Sequence, residues 1–204
     1  IENAIELVAR SKAENLIHIL LDFLTGETGG PPQDPRWTFK LFMALGNLEK
    51  ASKIAITIAN EEQERGKYQA SHAVLYETQR EFKEKNLPIP WDLYQRLLII
   101  HSYVIVKRLV KLGEHDTAAR MLNRVCKHIS QFPAHAATIL TSAVLEAMRA
   151  NLKGMAYQWA ITLMNPDYRN GIPEAHKKKV EQIARKPANE EVEERLTPCP
   201  FCNV

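Results

Sequence analysis

Cysteine is scarce in this sequence, at only 3 of 204 residues. So small and odd a number does not suit the disulfide framework of a secreted domain, and it favours a reducing compartment. An excess of one charge sign is also missing, since 27 Lys and Arg stand against 24 Asp and Glu, for a net charge of +3. Nucleic-acid-binding proteins usually concentrate more positive charge on one face, so no nucleic-acid partner is expected.

Long hydrophobic runs are missing as well. The most apolar stretch, residues 97–106, is interrupted by His101 and Ser102 and followed by Lys107 and Arg108. A bilayer span needs about 20 apolar residues, so this stretch predicts a buried helix and no transmembrane segment. The sequence starts at Ile1 with neither an initiator Met nor a signal peptide, which predicts a segment of a longer protein.

The apolar residues that are present recur with helical spacing, and no strand-like alternation persists. The pattern predicts one helix at the N-terminus and a second that starts with a capping box at Ser11 and Glu14 and ends near Gly26. The apolar positions of this second helix are Leu16, Ile19, Leu20, Phe23 and Leu24. Eight more helices are expected, over residues 36–45, 48–65, 67–86, 90–112, 114–132, 134–152, 155–164 and 173–186. The Pro- and Gly-rich residues 27–35 are expected to form an exposed loop.

Glycines with almost no linker around them predict tight turns between antiparallel helices. They are Gly46, Gly66, Gly113 and Gly154. Five positions after the first three stand the small residues Ala51, Ser71 and Ala118, which would let paired helices approach closely, but Trp159 breaks the pattern after Gly154. Gly46 and Gly113 are about two tetratricopeptide periods apart. The sequence therefore predicts an all-α, tetratricopeptide-like helical-hairpin solenoid over residues 1–196, a right-handed superhelix of antiparallel helix pairs.

The sharpest local motif is Thr197-Pro198-Cys199-Pro200-Phe201-Cys202. Two thiolates three positions apart can supply two of the four ligands of a zinc ion, so residues 197–204 are interpreted as the first half of a truncated zinc-binding knuckle. Cys126 lies in an apolar helical pattern and is expected to be a core residue rather than a third ligand. A redox Cys-X-X-Cys and inert thiols are the alternatives, although a redox pair normally follows a strand.

Signals of catalysis are not found. The seven histidines show no His-Glu-X-X-His pattern, and no nucleophile elbow or phosphate-binding loop is present. Catalytic and cofactor-binding residues are therefore expected to be absent, and Cys199 and Cys202 remain the only candidate metal ligands.

Two charged runs are expected to lie on the protein surface, and three tryptophans are candidates for either packing or partner contact. His176 and the run Lys177, Lys178 and Lys179 are interpreted as the solvated face of a helix, with weak membrane or phosphate contact as the alternative. The acidic run, defined here as residues 190–194, is interpreted as a solvated segment. Trp37, Trp91 and Trp159 are either packing wedges between hairpins or, if exposed, anchors for a partner.

Several stretches of the sequence resemble one family. They are IENAIELVARSKA (residues 1–13), DPRWTFKLFMALGNLEKASKIAITIANEEQ (34–63), HSYVIVKRLVKLGEHDTAARMLNRVCKHISQFPAH (101–135), ILTSAVLEAMRANLKGMAYQWAITLMNPDYR (139–169), HKKKVEQIARKP (176–187) and TPCPFC (197–202). In order and over nearly the whole chain, they resemble the C-terminal part of the WD-repeat and tetratricopeptide subunit of intraflagellar transport complex A.

The resemblance implies a non-enzymatic scaffold that serves retrograde ciliary transport, ciliary import of membrane proteins and cilium assembly. It implies a place in the cilium or flagellum and at the ciliary base, on the reducing cytoplasmic side, with other subunits of the complex as partners of the helical-repeat surfaces. It also implies a zinc ribbon with a second Cys pair. This chain matches that ribbon only at Cys199 and Cys202, so zinc is expected in the longer chain and not in this one.

Rival interpretations remain. The resemblance implies N-terminal β-propellers ahead of the solenoid in the full-length family members, and a coat-like subunit of vesicle trafficking would share that plan. A thiol oxidoreductase or zinc hydrolase would use Cys199 and Cys202. An end of the solenoid that lacks its neighbouring hairpin is expected to self-associate.

Overall fold

The computed structural model describes residues 1–187, and the regular elements in that part of the chain are all helical. The eleven α-helices within these 187 residues are α1 (Glu2–Ser11), α2 (Glu14–Thr25), α3 (Pro35–Ala44), α4 (Leu48–Glu64), α5 (Tyr68–Glu84), α6 (Trp91–Lys111), α7 (His115–Cys126), α8 (Ala136–Arg149), α9 (Lys153–Leu163), α10 (Pro166–Arg169) and α11 (Glu174–Ala184). Most pack against helices next to them in the chain. The predicted all-α, tetratricopeptide-like fold is confirmed for the described residues.

The chain divides into two compact units, and the first is Ile1–Leu97. In it, α3 packs on α4 and α4 on α5, while α1 and α2 both pack on α3. One apolar cluster, Ile5, Val8, Leu24 and Leu41, joins these first three helices. A second cluster joins α3 to α4 and consists of Phe39, Phe42, Ala51, Ala55 and Ile58.

The second unit starts at Leu98. Its helices α7, α8 and α9 pack in sequence, and α11 packs on α9 and α8. Val180 of α11 is fully buried, as are Leu122 of α7, Leu140 of α8 and Leu163 of α9. Each of these four helices thus turns one apolar face inward, as the helical periodicity predicted.

One turn geometry recurs at five helix ends. The residue in left-handed conformation is Gly46, Gly66, Asn86, Gly113 or Asn151, with φ between 52° and 78°. In each turn its N–H donates to the carbonyl three residues before, and the next N–H donates to the carbonyl five residues before its own, at 2.8–3.2 Å. These are the two hydrogen bonds of the Schellman motif, which satisfy carbonyls that a helix end leaves free.

The following helix begins almost at once after four of these turns. Asn47, Lys67, Glu114 and Leu152 directly follow the left-handed residue and serve as N-caps of α4, α5, α7 and α9. Four residues beyond each N-cap stands a small side chain with 0% exposure, namely Ala51, Ser71, Ala118 and Ala156. The small residues predicted at the fifth position after the turns at Gly46, Gly66 and Gly113 are therefore fully buried. Ala156 is a fourth example that was not predicted.

Gly154 is not the turn that it was predicted to be. It lies inside α9 and is buried, and Asn151 takes the left-handed conformation instead. Among residues with a side chain, Asn adopts this conformation at relatively low cost, which is why the turn can form without glycine. With Asn151 as reference, the fifth position is Ala156 and Trp159 no longer breaks the pattern.

Two further boundaries differ from prediction. Ser11 ends α1 instead of capping α2, because Lys12 is left-handed; the Ser11 hydroxyl donates to the Val8 carbonyl at 3.0 Å, and Ala13 is the N-cap of α2. Helix α7 was expected to continue to residue 132 but ends at Cys126, and two 3₁₀ turns follow, Ile129–Gln131 and Pro133–His135. Proline disfavours helical backbone in the residue before it, and Phe132 before Pro133 is accordingly non-helical, with φ −126°.

Candidate interaction surfaces

Helix α2 carries an apolar stripe that faces solvent. Leu16, Ile19 and Phe23 are 47%, 62% and 45% exposed, and their spacing places them on one face of the helix. Leu24, by contrast, is buried in the first apolar cluster. The sequence predicted one apolar face for α2, whereas the structure divides it into a core face and this α2 stripe. Adjacent exposed apolar residues of this kind commonly mark contact surfaces.

The structure separates the three tryptophans. Trp159 is buried, and its Nε1 donates to the Asn123 Oδ1 at 3.0 Å. Trp37 packs beside the first apolar cluster under the ammonium of Lys40, which lies 5.0 Å from the ring centroid. Trp91 is 68% exposed at the start of α6. Of the three tryptophans, Trp91 is therefore the one whose exposure suits an anchor for a partner.

An open groove of about 620 Å³ lies beside the turn between α3 and α4. Gly46, Leu48 and Phe82 contribute to its wall, together with Leu87 and Pro88 of the segment that follows α5. Leu87 is itself an exposed apolar residue. The groove offers apolar surface, and no group of three or more metal-ligating side chains occurs within residues 1–187.

A second cavity, of about 410 Å³, lies in the second unit and is called the lysine cavity here. Its lining residues are Met148, Lys153, Lys179, Gln182, Ile183, Lys186 and Pro187. Lys153 is the first residue of α9, whereas Lys179, Gln182, Ile183 and Lys186 recur at helical spacing along α11 and its end. The result is a cationic rim around half-buried Met148 and Ile183.

Two buried glutamates tie helices together and were not recognised from the sequence. The Glu62 side chain is 5% exposed; its Oε1 accepts hydrogen bonds from Arg36 at 3.0 Å and Arg65 at 3.2 Å, and its Oε2 lies 4.0 Å from the Lys67 Nζ. A carboxylate taken out of water needs such compensation. The Arg36 contact links α3 to α4, so the group has a structural explanation.

Glu146 of α8 is the second such carboxylate, at 8% side-chain exposure. Its Oε2 lies 2.8 Å from the His115 Nδ1, and its Oε1 accepts from Arg149 at 2.6 Å. The histidine stands at the first position of α7, so the contact joins α7 to α8. Nothing in the sequence pattern distinguishes either glutamate from a solvated one. An arginine three positions later is equally common on an exposed helix face, and Arg36 and His115 come from other helices.

Of the candidate chemical residues, the structure describes Cys126 and His101. Cys126 is 2% exposed, and burial raises the pKa of its thiol well above the ordinary range. It is therefore a core thiol, as predicted, and is held in the neutral form that binds zinc poorly. Burial, reinforced by the nearby charge of Arg124, lowers the pKa of His101. Cys199 and Cys202 lie outside the described residues.

The basic run on α11 is mostly exposed. Lys177 pairs with Glu174 at 3.2 Å, Lys178 and Lys179 are exposed, and Val180 next to them is buried. This arrangement agrees with a solvated helix face, although Lys179 also lines the lysine cavity. Within residues 1–187, no helix combines the length and the apolar character that crossing a bilayer would require.

Three curated proteins match nearly the whole chain. WD repeat-containing protein 19 from Mus musculus is 47% identical over 202 residues, and the protein of the same name from Homo sapiens is 46% identical over 202 residues; each match covers 99% of this chain. WD repeat-containing protein dyf-2 from Caenorhabditis elegans is 40% identical over 201 residues, or 98% of this chain. No protein-family model matches the sequence.

The chain spans only 14–15% of the length of these relatives. The matches nevertheless run through both units and all the helices described above. Identity of 40–47% over such a length confirms the resemblance that the sequence predicted. The chain is a homologue of one segment of the WD repeat-containing protein 19 and dyf-2 proteins.

Proposed function

We propose that this chain is a non-enzymatic scaffold segment of intraflagellar transport complex A. Its work there is to hold other subunits through the surfaces of its helical hairpins, in support of retrograde ciliary transport, ciliary import of membrane proteins and cilium assembly. The observation that carries the proposal is the match to WD repeat-containing protein 19 over 99% of the chain. The places of action are the cilium and the ciliary base, on the cytoplasmic side.

The surfaces fit a scaffold better than an enzyme. The α2 stripe and Trp91 present apolar side chains outward, where another protein would bury them. The two buried carboxylates contact side chains of other helices, Arg36 for Glu62 and His115 for Glu146, so they have structural partners.

Affinity capture from a ciliated-cell extract tests the proposal. The 204-residue chain is used as bait beside Trp91→Ala and Ile19→Glu, with Ile161→Glu as the matched control, since Ile161 is an exposed apolar residue of α9. Recovery of complex A subunits by wild type and control, with loss from Trp91→Ala or Ile19→Glu, is expected. Recovery of coat components without complex A subunits would favour the coat-like alternative. In a separate experiment, localisation of the protein away from the ciliary base in cells would favour the same alternative.

We also propose that Cys199 and Cys202 are two of the four zinc ligands of the longer chain. Cys126 is poorly suited to be a further ligand, because it is buried and its thiol is held neutral. We expect this chain to bind zinc weakly or not at all, and one extended through a second Cys pair to bind it stoichiometrically. Equal, tight metal content in both would show that the ligands are misassigned.

A thiol oxidoreductase using Cys199 and Cys202 makes a different prediction. Redox Cys-X-X-Cys pairs lower the pKa of the attacking thiol, whereas an unperturbed thiol titrates near about 8.5. Thiol titration combined with a dithiol-exchange assay distinguishes the two. An ordinary titration without exchange activity is expected for a scaffold, and a lowered pKa with exchange would support the enzyme.

A further inference from the structure

We propose that the lysine cavity is the docking site of the chain's own acidic run, residues 190–194. The cavity lies beside the C-terminal end of α11, and Pro187 is part of its lining. The run lies outside the described residues. The argument therefore depends on the cavity, on its charge and on the sequence that follows Pro187.

The three lysines of the cavity have no ion-pair partner among residues 1–187. Within residues 1–187, none of Lys153, Lys179 and Lys186 has a carboxylate oxygen within 4.0 Å, whereas Lys177 on the same helix pairs with Glu174 at 3.2 Å. Three ammonium groups around one cavity repel each other and attract any nearby anion. An acidic occupant would lower the free energy of this part of the surface.

The acidic run has the matching composition. It reads Glu190, Glu191, Val192, Glu193, Glu194, so an apolar side chain is flanked by two carboxylates on each side. The cavity likewise combines its lysines with the half-buried apolar residues Met148 and Ile183. Carboxylates on the rim and Val192 over the apolar floor would satisfy both features at once.

The length of the run also suits the cavity. Lys179 lies five positions before Ala184, the last residue of α11, which corresponds to about 7.5 Å along the helix, and Lys186 follows two residues later. Residues 190–194 in extended conformation span about 13 Å. Only Ala188 and Asn189 separate Pro187 from Glu190, so the run is held close to the cavity at a high effective concentration. A run that turns back along α11 is therefore long enough to pass both Lys186 and Lys179.

If residues 190–194 bind the lysine cavity, the cavity is occupied by a segment of the same chain. An acidic segment of another protein could bind there only by displacing residues 190–194. The cavity would thus be a competitive interaction surface, available to partners that are more acidic or better fitted than the chain's own run.

A zero-length carbodiimide cross-link on the 204-residue chain tests the proposal, because it joins a lysine to a carboxylate only when they are in contact. We expect cross-links from Lys153, Lys179 or Lys186 to residues 190–194, identified by peptide mass spectrometry. They should decline at about 1 M salt, where the Debye length is about 3 Å. Lys178 is the matched control, since it is exposed on the same helix but does not line the cavity.

A variant with the four glutamates of the run changed to Gln gives an independent readout. Amine-acylation rates at Lys179 and Lys186 should rise several-fold in this variant, while the rate at Lys178 stays unchanged. Equal cross-linking of Lys178 and Lys179, or unchanged acylation rates, would overturn the proposal. Cross-links between isotopically distinct copies in a mixed sample, in place of links within one copy, would overturn the assignment to the same chain.

Discussion

The Trp159 indole Nε1 donates a hydrogen bond to the Asn123 Oδ1 at 3.0 Å and so joins α9 to α7. The indole ring is at the same time buried in the second unit. We expect Trp159→Phe, which keeps an aromatic ring but removes the donor, to lower the free energy of unfolding by about 1–2 kcal/mol. Urea denaturation measures the change.

The exposed Trp91 supplies the control for that experiment. Trp91→Phe should alter the free energy of unfolding by less than about 0.5 kcal/mol, because solvent already covers most of its ring. A loss in Trp91→Phe as large as that in Trp159→Phe would contradict the roles assigned to the two side chains.

Ala118 stands five positions after the Gly113 turn and has no exposed surface. Ala118→Trp should force α7 away from its neighbours and cost roughly 1–3 kcal/mol or more through overpacking. Thr138→Trp, at an exposed position on α8, should have little effect. Thermal unfolding of both variants tests this, and an unchanged midpoint in Ala118→Trp would mean that the close helix approach at Gly113 is misassigned.

Asn151 holds a φ of 59° at the turn before α9. Because a Cβ makes this conformation unfavourable, and alanine lacks the polar side chain that helps asparagine adopt it, Asn151→Ala should cost about 1–2 kcal/mol. Asn151→Gly should remain close to wild type. Chemical denaturation of the two variants measures the difference.

Asn15 is the control that separates the effect of the left-handed conformation from the effect of replacing an asparagine with alanine. Asn15 is exposed and lies in the first turn of α2, where alanine is a good helix former. Asn15→Ala should therefore be neutral or slightly stabilising. Equal destabilisation by Asn15→Ala and Asn151→Ala would remove the left-handed turn as the explanation.

Burial raises the pKa of the Cys126 thiol, and this makes stability depend on pH in the alkaline range. The unfolded chain releases this proton near its ordinary pKa of about 8.5, whereas the folded chain retains it. The free energy of unfolding should therefore fall as pH rises above about 8.5, with Cys126 contributing up to about 1.4 kcal/mol per pH unit. Below that pH the thiol is protonated in both states and contributes no slope.

Cys126→Ala should make the alkaline slope less steep. Denaturation curves between about pH 7.5 and 10 for wild type and variant provide the measurement. Alkylation gives a second readout, since Cys126 should react slowly in the native chain and rapidly in denaturant. Fast native alkylation, or identical slopes for the two proteins, would be incompatible with a buried neutral thiol.

The α2 stripe should make the isolated chain self-associate as its concentration rises. Ile19→Glu places a charge in the centre of the stripe and is expected to shift the equilibrium toward monomer. Ile161→Glu makes the same change at an exposed position on α9. Sedimentation velocity over a concentration series decides the matter, and equal association of both variants would assign the contact to another surface.

The turns show what could be predicted from the sequence and what could not. Gly46, Gly66 and Gly113 were predictable because few other residues adopt a left-handed conformation easily, and all three do adopt it. Asn151 was missed because asparagine is also common in other environments, and because Gly154, three residues later, was the better candidate for a turn by residue type. The early end of α7 at Cys126 was missed because Ile129 and Phe132 continue the helical spacing of its apolar residues.

Surface chemistry was harder to predict for a different reason. The hydrogen-bonded contacts of Glu62 with Arg36 and of Glu146 with His115 join residues 26 and 31 positions apart in the chain. Periodicity along one helix carries no information about such partners. The same limit applies to Leu16, Ile19 and Phe23, which have the spacing of core residues but face solvent because the neighbouring helices cover a different side of α2.

The recurring turn is built from main-chain atoms, and this bears on how the protein can change over evolutionary time. Its two hydrogen bonds place no demand on side chains, and its left-handed residue accepts either glycine or asparagine. Substitutions elsewhere in the turn can accumulate with little effect on how one helix leads into the next. Successive hairpins can therefore diverge until they share almost no sequence, and a repeat of this kind is better recognised by its backbone than by a consensus.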